Sequence, residues 1–314
     1  MISAGNMTES ITFVYTSVKP VYMKLKHLRN KSIDFKRWDT CISESKNHLT
    51  YAFSWYLDAV SPDWEALVST DYEYVMPLPV KSRYGFPYLV QPLLTQQLGI
   101  FSRHDINKEV VETFMKEIPY FSYELNLNEQ NFYEKALIYP NFILDLNKPY
   151  KDIFSTYSKN CKRNIEKSNT KSLRVQPNIT KESFLAFFFS VDKHYLSPHQ
   201  PILKRLIEKG ISENALILYG VFSAENHLVA ALCLLESSNR LTYLLSTSSA
   251  EGRKSSAMFF LIDYLIHKHA EKNYVLDFEG SRVEGIARLY RGFGAKYHPY
   301  YILKRFRPSF LIRK

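Results

Sequence analysis

Cysteine is scarce in this chain and stands apart. Cys41, Cys161 and Cys233 are the only three in 314 residues. No C-x-x-C or other paired metal-ligand spacing occurs, so no metal is expected. An odd, scattered count argues against a disulfide framework and points to a reducing compartment. Long apolar runs are also missing: none approaches the roughly 20 residues that span a bilayer. The polar start MISAGNMTES has no basic-then-apolar signal pattern. A cytoplasmic protein is expected, with peripheral membrane contact left open. Glycines number only ten. Neither G-x-x-x-x-G-K-[ST] nor G-x-G-x-x-G occurs, which excludes a P-loop and a dinucleotide fingerprint. No Cys-His or Ser-His-Asp arrangement is legible, so a covalent enzyme intermediate is disfavoured.

What is abundant is aromatic and basic. Tyr and Phe number 23 and 21, and 46% of residues are hydrophobic, which makes a packed core the expectation and broad disorder not. Lys and Arg exceed Asp and Glu by 41 to 31. That excess suits nucleic acid, anionic lipid or a phosphorylated ligand, and suits a basic soluble protein equally.

Periodicity gives a mixed α/β chain. Helical spacing predicts helices over 35–45, 52–60, Lys108–Lys116, 179–195 (capped by Thr180) and 198–210. Strands are expected over 11–18, Trp64–Ser69, Tyr74–Leu78, Tyr88–Val90, 120–128, 142–146 and 173–177. Ile153, Phe154, Tyr157, Cys161 and Ile165 recur at helical spacing and predict one amphipathic helix. Between Lys151 and Arg174 lie seven basic residues against two acidic. They read either as a solvated face or as a wall facing a phosphate-bearing substrate.

The densest stretch runs from Ala215 to Tyr300. Three strands, ALILYGVF, LVAALCLLES and LTYLLSTS, lead into the loop STSSAEGRKSSA, the helix AMFFLIDYLIHKHAEKN and the strand YVLDFEGS. A glycine-bearing loop at a helix start is a possible anion site, with Arg253 and Lys254 adding charge and Ser255 and Ser256 adding hydroxyls. Ordinary helix capping is the competing reading. His267 and His269 read as helix-end residues. In YVLDFEGS, Leu276 and Phe278 fall on one face and Asp277 and Glu279 on the other. Either carboxylate could take a proton from an attacking amine, unless it serves as a cap or ion pair. A short helix around Ile286, Leu289 and Tyr290 and a last strand over 297–306 follow. The element order from Trp64 to Leu127 repeats that from Ala215 to Phe278, which suggests an internal duplication.

Three segments, YSKNCKRNIEKS, YLLSTSSAEGRKSSA and VLDFEGS…GIARLYRGFGA, resemble the FemAB-like branch of the Gcn5-related N-acetyltransferase (GNAT) superfamily, nearest to bacterial proteins with a CelD-type acetyltransferase domain. The resemblance covers about 148–305 and is fainter over 35–145. It implies two tandem GNAT-like domains. Residues 1–147 would be a degenerate partner shaping the cleft, and 148–314 would carry the donor loop. It implies transfer of an acyl group from acyl-CoA to an amine on a small molecule, glycan or peptide. Its alternatives are an aminoacyl-tRNA-dependent transferase acting on a peptidoglycan precursor, and a non-catalytic binder of anionic ligands. The superfamily's pyrophosphate loop, Gln/Arg-x-x-Gly-x-Gly/Ala, falls on AEGRKS, with Lys254 where a small residue is usual. On this reading the donor meets Leu245, Ser246, Thr247, Gly252, Arg253, Lys254, Ser255 and Ser256. Asp277 or Glu279 accepts the proton and Tyr290 serves as acid. Tyr157, Arg163, Arg288 and Arg291 meet the acceptor.

Overall fold

A computed structural model describes residues 23–305 apart from 192, 193 and 238. The strand expected over 11–18 lies outside them. Along the first half run β1 (Leu25–Leu28), α1 (Phe35–Glu44), α2 (Ser54–Val60), β2 (Glu65–Ser69), β3 (Tyr74–Leu78), β4 (Val80–Arg83), β5 (Phe86–Val90), β6 (Phe101–Ser102), α3 (Lys108–Lys116), β7 (Tyr123–Leu127), β8 (Leu137–Tyr139) and β9 (Phe142–Asp145). The second half adds α4 (Tyr150–Ser155), α5 (Lys159–Asn169), β10 (Arg174–Pro177), α6 (Lys181–Ser190), α7 (Gln200–Ser212), β11 (Leu216–Phe222), β12 (Leu228–Ser237) and β13 (Arg240–Ser248). It ends with α8 (Ala250–Lys254), α9 (Ala257–His269), β14 (Val275–Asp277), α10 (Glu284–Gly292), β15 (Lys296–Tyr297) and β16 (Tyr300–Arg305).

Side-chain caps start several helices where the sequence puts a short polar residue. Asp34 accepts from Arg37 N, Asn107 from Val110 N, and Thr180 from Ser183 N. The single helix expected through 153–165 is instead two, α4 and α5. Ser158 breaks it: its hydroxyl accepts the Cys161 amide, and its own amide donates to Gly292 O at 2.9 Å. A local side-chain bond and a tertiary partner outweigh the continuous helical spacing.

The strands form a four-stranded sheet (β1-β2-β3-β6), a seven-stranded sheet (β10-β11-β12-β13-β14-β9-β15) and a five-stranded sheet (β4-β5-β7-β16-β8). Strand membership crosses the expected division at 147/148 in both directions. β9 pairs with β14 and β15 in the large sheet, while β16 pairs with β7 and β8. One core cluster also spans the halves, joining Trp38, Tyr51, Tyr56 and Trp64 to Phe184, Phe188, Leu206 and Leu235. Full burial of such side chains contributes roughly 1.5–3 kcal/mol each, and α2 is further tied to α7 by Arg205 Nε donating to Ala59 O at 2.7 Å.

Candidate active site

The site is made by two strands that part. β13 and β14 run parallel and pair only over Arg240–Thr242 and Val275–Asp277. β13 then continues to Ser248, held on its other edge by β12, with a register shift between Cys233 and Leu234 that leaves Leu244 as the extra residue. Past Thr242 the edge of β13 that faced β14 has no ladder partner among the described residues, so its backbone groups are open to a guest. A cavity of about 340 Å³ opens there, lined among others by Ser246, Thr247, Arg253, Met258, Leu289 and Tyr290. Tyr290 stacks on Phe278, with ring centroids 4.7 Å apart. Burial, with Tyr243 and the carboxylates of Glu279 and Asp277, pushes its hydroxyl well above the usual range, so it stays protonated.

The two expected carboxylates are dealt different positions. Asp277 is fully buried. Its Oδ2 pairs with Arg240 Nη1 at 2.7 Å, and its Oδ1 accepts the Glu279 amide at 2.9 Å. Arg240 reaches on to Glu129 (3.0 Å), and Glu129 to His298 (2.9 Å). Burial works against the Arg240 charge, but Asp277 and Glu129 more than offset it and raise its pKa. The hydrogen bond to Glu129 likewise raises His298. With both oxygens engaged, Asp277 is placed to anchor the strand end rather than to take a proton.

Glu279 has no such cation among the described residues. It follows β14 in a left-handed backbone conformation, φ 53°, which a residue with a Cβ adopts at a cost of about 1–2 kcal/mol. Strain of this kind is held where the surroundings demand it. Its carboxylate accepts the hydroxyl of Tyr51, which comes from the other half of the chain. Burial pushes Glu279 up to about 8; the Tyr51 hydrogen bond pulls the other way, and the Asp277 charge adds to the rise. Next to Glu279 in the chain, Gly280 lines a second space, a groove of about 310 Å³ that includes Arg282, Tyr300 and Lys304. Glu279 lines neither space, but its carboxylate acts electrostatically on Tyr290, which lines the first, and on Tyr300, which lines the second.

The loop before α9 departs from the expectation. Residues 250–254 are a short helix, and most amides from Gly252 to Ser256 are consumed internally: by Ser249 Oγ and by the carbonyls of Ser249, Glu251 and Arg253. Gly252 is there for packing. A Cβ on it would lie 2.1 Å from Val229 O in β12. Ser255 Oγ donates to Glu251 O, Ser256 Oγ to Asn164 Oδ1, and Arg253 Nη1 to Ser248 O. Lys254 is exposed and without a partner among the described residues. Leu245 is half-buried and packs on the core that spans the halves. The donor set therefore separates, with Ser246, Thr247 and Arg253 on the cavity, Gly252, Ser255 and Ser256 turned to local structure, and Lys254 exposed.

The residues expected to meet an acceptor also scatter. Tyr157 is buried, with its hydroxyl bonded to Asp263 in α9. Arg163 is exposed and bonds Asn160, and Arg291 pairs with Glu284 at 2.6 Å. Arg288 lines a separate space with Asn160, Cys161 and Phe259. Sequence reasoning missed Tyr51, Glu129, Arg240 and His298. Only Arg240 left a signal, a cation at the mouth of an apolar strand.

These features define a mixed α/β protein with several sheets flanked by helices and an open fork between parallel strands, an architecture that resembles GNAT-like domains. FemX superposes with a TM-score of 0.63 at 11% identity, over 90% of this chain and 98% of that one. A tandem GNAT protein from the clavulanic acid biosynthesis pathway gives 0.53 at 10% identity, covering 91% and 100%. The C-terminal domain of a protein classed as a lysylphosphatidylglycerol synthetase in Agrobacterium fabrum gives 0.52 at 10%, covering 87% and 92%. No protein-family model and no curated protein matches the sequence. At these identities the likeness shows a shared fold alone and singles out no branch of the FemAB/GNAT proteins, the CelD-type included. No helix among the described residues is long and apolar enough to cross a membrane.

Proposed function

We propose that the protein is an aminoacyl transferase, taking the aminoacyl group from an ester donor such as a charged tRNA and delivering it to an amine on a peptide or glycan. The observation that carries this reading is Glu279, raised by burial to about 8, acting on Tyr290 of the cavity at the strand fork and on Tyr300 of the groove along β16. The donor ester lies in the fork and the acceptor amine in the groove. The amine attacks the ester carbonyl, a backbone amide of β13 around Leu244–Thr247 supports the developing oxyanion, and Glu279 accepts the proton the amine sheds. The C–O bond then breaks, and Tyr290 protonates the departing alkoxide. Tandem GNAT-like domains would supply the two walls, with residues up to 147 mainly on the acceptor side.

The choice of donor rests on the start of α9. The superfamily's loop offers free amides to a pyrophosphate. Here most of those amides are bonded within α8, and Gly252 is closed against Val229 O. These residues do not fit the phosphates of coenzyme A. Beside them α5 presents Lys159, Arg163 and Lys167, and Asn164 ties that basic ridge to Ser256, an arrangement suited to an RNA backbone.

Titration with charged tRNA should show salt-sensitive binding, while acetyl-CoA at up to about 1 mM shows none. Micromolar coenzyme A binding without tRNA binding would overturn the donor assignment in favour of acyl-CoA. Failure of both, with neither product formed, would favour a binding protein on this fold. Glu279→Gln should lower kcat by roughly 10²–10⁴. The wild-type rate should climb as pH rises through about 8, as the carboxyl loses its proton.

A further inference from the structure

One end of the five-stranded sheet exposes aromatic rings that no part of the transfer reading uses. The β4–β5 hairpin turns through Tyr84 and Gly85, both at positive φ. β5 starts at this end, β7 runs parallel to it, and β16 runs antiparallel to β7 and finishes here. The topology thus brings together the hairpin tip, the residue pair before β7 and the last residue of β16. Tyr84 is 76% exposed, Phe86 58% and Phe121 75%; rings normally buried stand clear of the surface at three neighbouring points.

Cations accompany them. Arg83 lies over the Tyr84 ring and Arg305 over the Phe121 ring, at 5.3 and 5.7 Å. Lys81 is exposed on the same hairpin. Glu117 is the nearest exposed carboxylate along the chain, while Glu124 is taken by Lys304 at 3.1 Å. Protruding Tyr and Phe rings flanked by Arg and Lys match the interface of an anionic bilayer, where rings seat at headgroup level and cations meet lipid phosphates. A neutral protein partner would explain the rings and leave the cations unused.

We infer that this end of the sheet docks on an anionic lipid surface. Lys304, next to Arg305, lines the groove that runs along β16 to Gly280, so docking sets the mouth of that groove at headgroup level. The inference stands apart from the transfer reading, and its test needs no substrate.

The full chain is sedimented with vesicles of phosphatidylcholine alone and with roughly 30 mol % phosphatidylglycerol added. Binding to the anionic vesicles should exceed binding to the neutral ones and weaken as salt rises. Phe86→Ser combined with Phe121→Ser, and separately Lys81→Glu with Arg83→Glu, should each cut it about tenfold with the circular dichroism spectrum unchanged. All four positions are surface side chains, so folding should survive. Wild-type protein that stays in solution with both vesicle types overturns the inference. So does equal binding by the aromatic variant. Sedimentation velocity on the same samples covers a remaining occupant. Concentration-dependent dimers abolished by the aromatic changes, with no lipid binding, would assign this end to a second copy of the chain.

Discussion

At the scale of single residues, burial and pairing sort the polar groups. Asp277 and Glu279 are two positions apart, yet Arg240 pairs with one and not the other. That difference has a stability signature. Glu279 has an ordinary pKa of 4.5 that the fold raises to about 8. Between those values the native state holds a proton that the unfolded chain releases. Stability from this group is therefore greatest below the window and falls as pH climbs through it. Glu279→Gln cannot lose that proton. Relative to wild type it should gain on the order of 2–3 kcal/mol between about pH 5 and roughly pH 8.5, allowing for the partial exposure of the side chain. Urea denaturation at the two pH values measures the gain, and no difference between the proteins would mean that Glu279 is ionised throughout.

Elements show where local sequence suffices and where neighbours decide. The helix Lys108–Lys116 and the strand Leu228–Ser237 stand where periodicity and residue type put them, because each has one apolar face or an unbroken apolar run. Residues 246–257 were legible as polar and glycine-bearing but not as a second short helix. The use of Gly252 depends on β12, about 20 residues earlier. Gly252→Ala should therefore destabilise the fold by about 2 kcal/mol through overlap with the Val229 carbonyl, an effect expected whether or not a donor is present. A denaturation midpoint equal to wild type would show that α8 lifts freely from the sheet.

Across the whole molecule, the halves complete each other. A fragment ending at 147 lacks β16, which sits between β7 and β8, and a fragment beginning at 148 lacks β9, which sits between β14 and β15. Each fragment would present unpaired edges and an opened core. Expressed singly, 1–147 and 148–314 should show little near-ultraviolet circular dichroism and a tendency to aggregate. Two independently sharp unfolding transitions would refute this account of the topology. What the sequence by itself determined was local: most helices and strands, the cap at Thr180, and the apolar and acidic faces of YVLDFEGS. These follow from forces acting within a turn of helix or along one strand. Only the tertiary structure decided which carboxylate Arg240 pairs with, which hydroxyls face a cavity, and where the two halves of the chain trade strands. Glu279 meets Tyr51 across 228 positions of chain. A contact at that separation arises from packing of whole layers, and no spacing within the sequence encodes it.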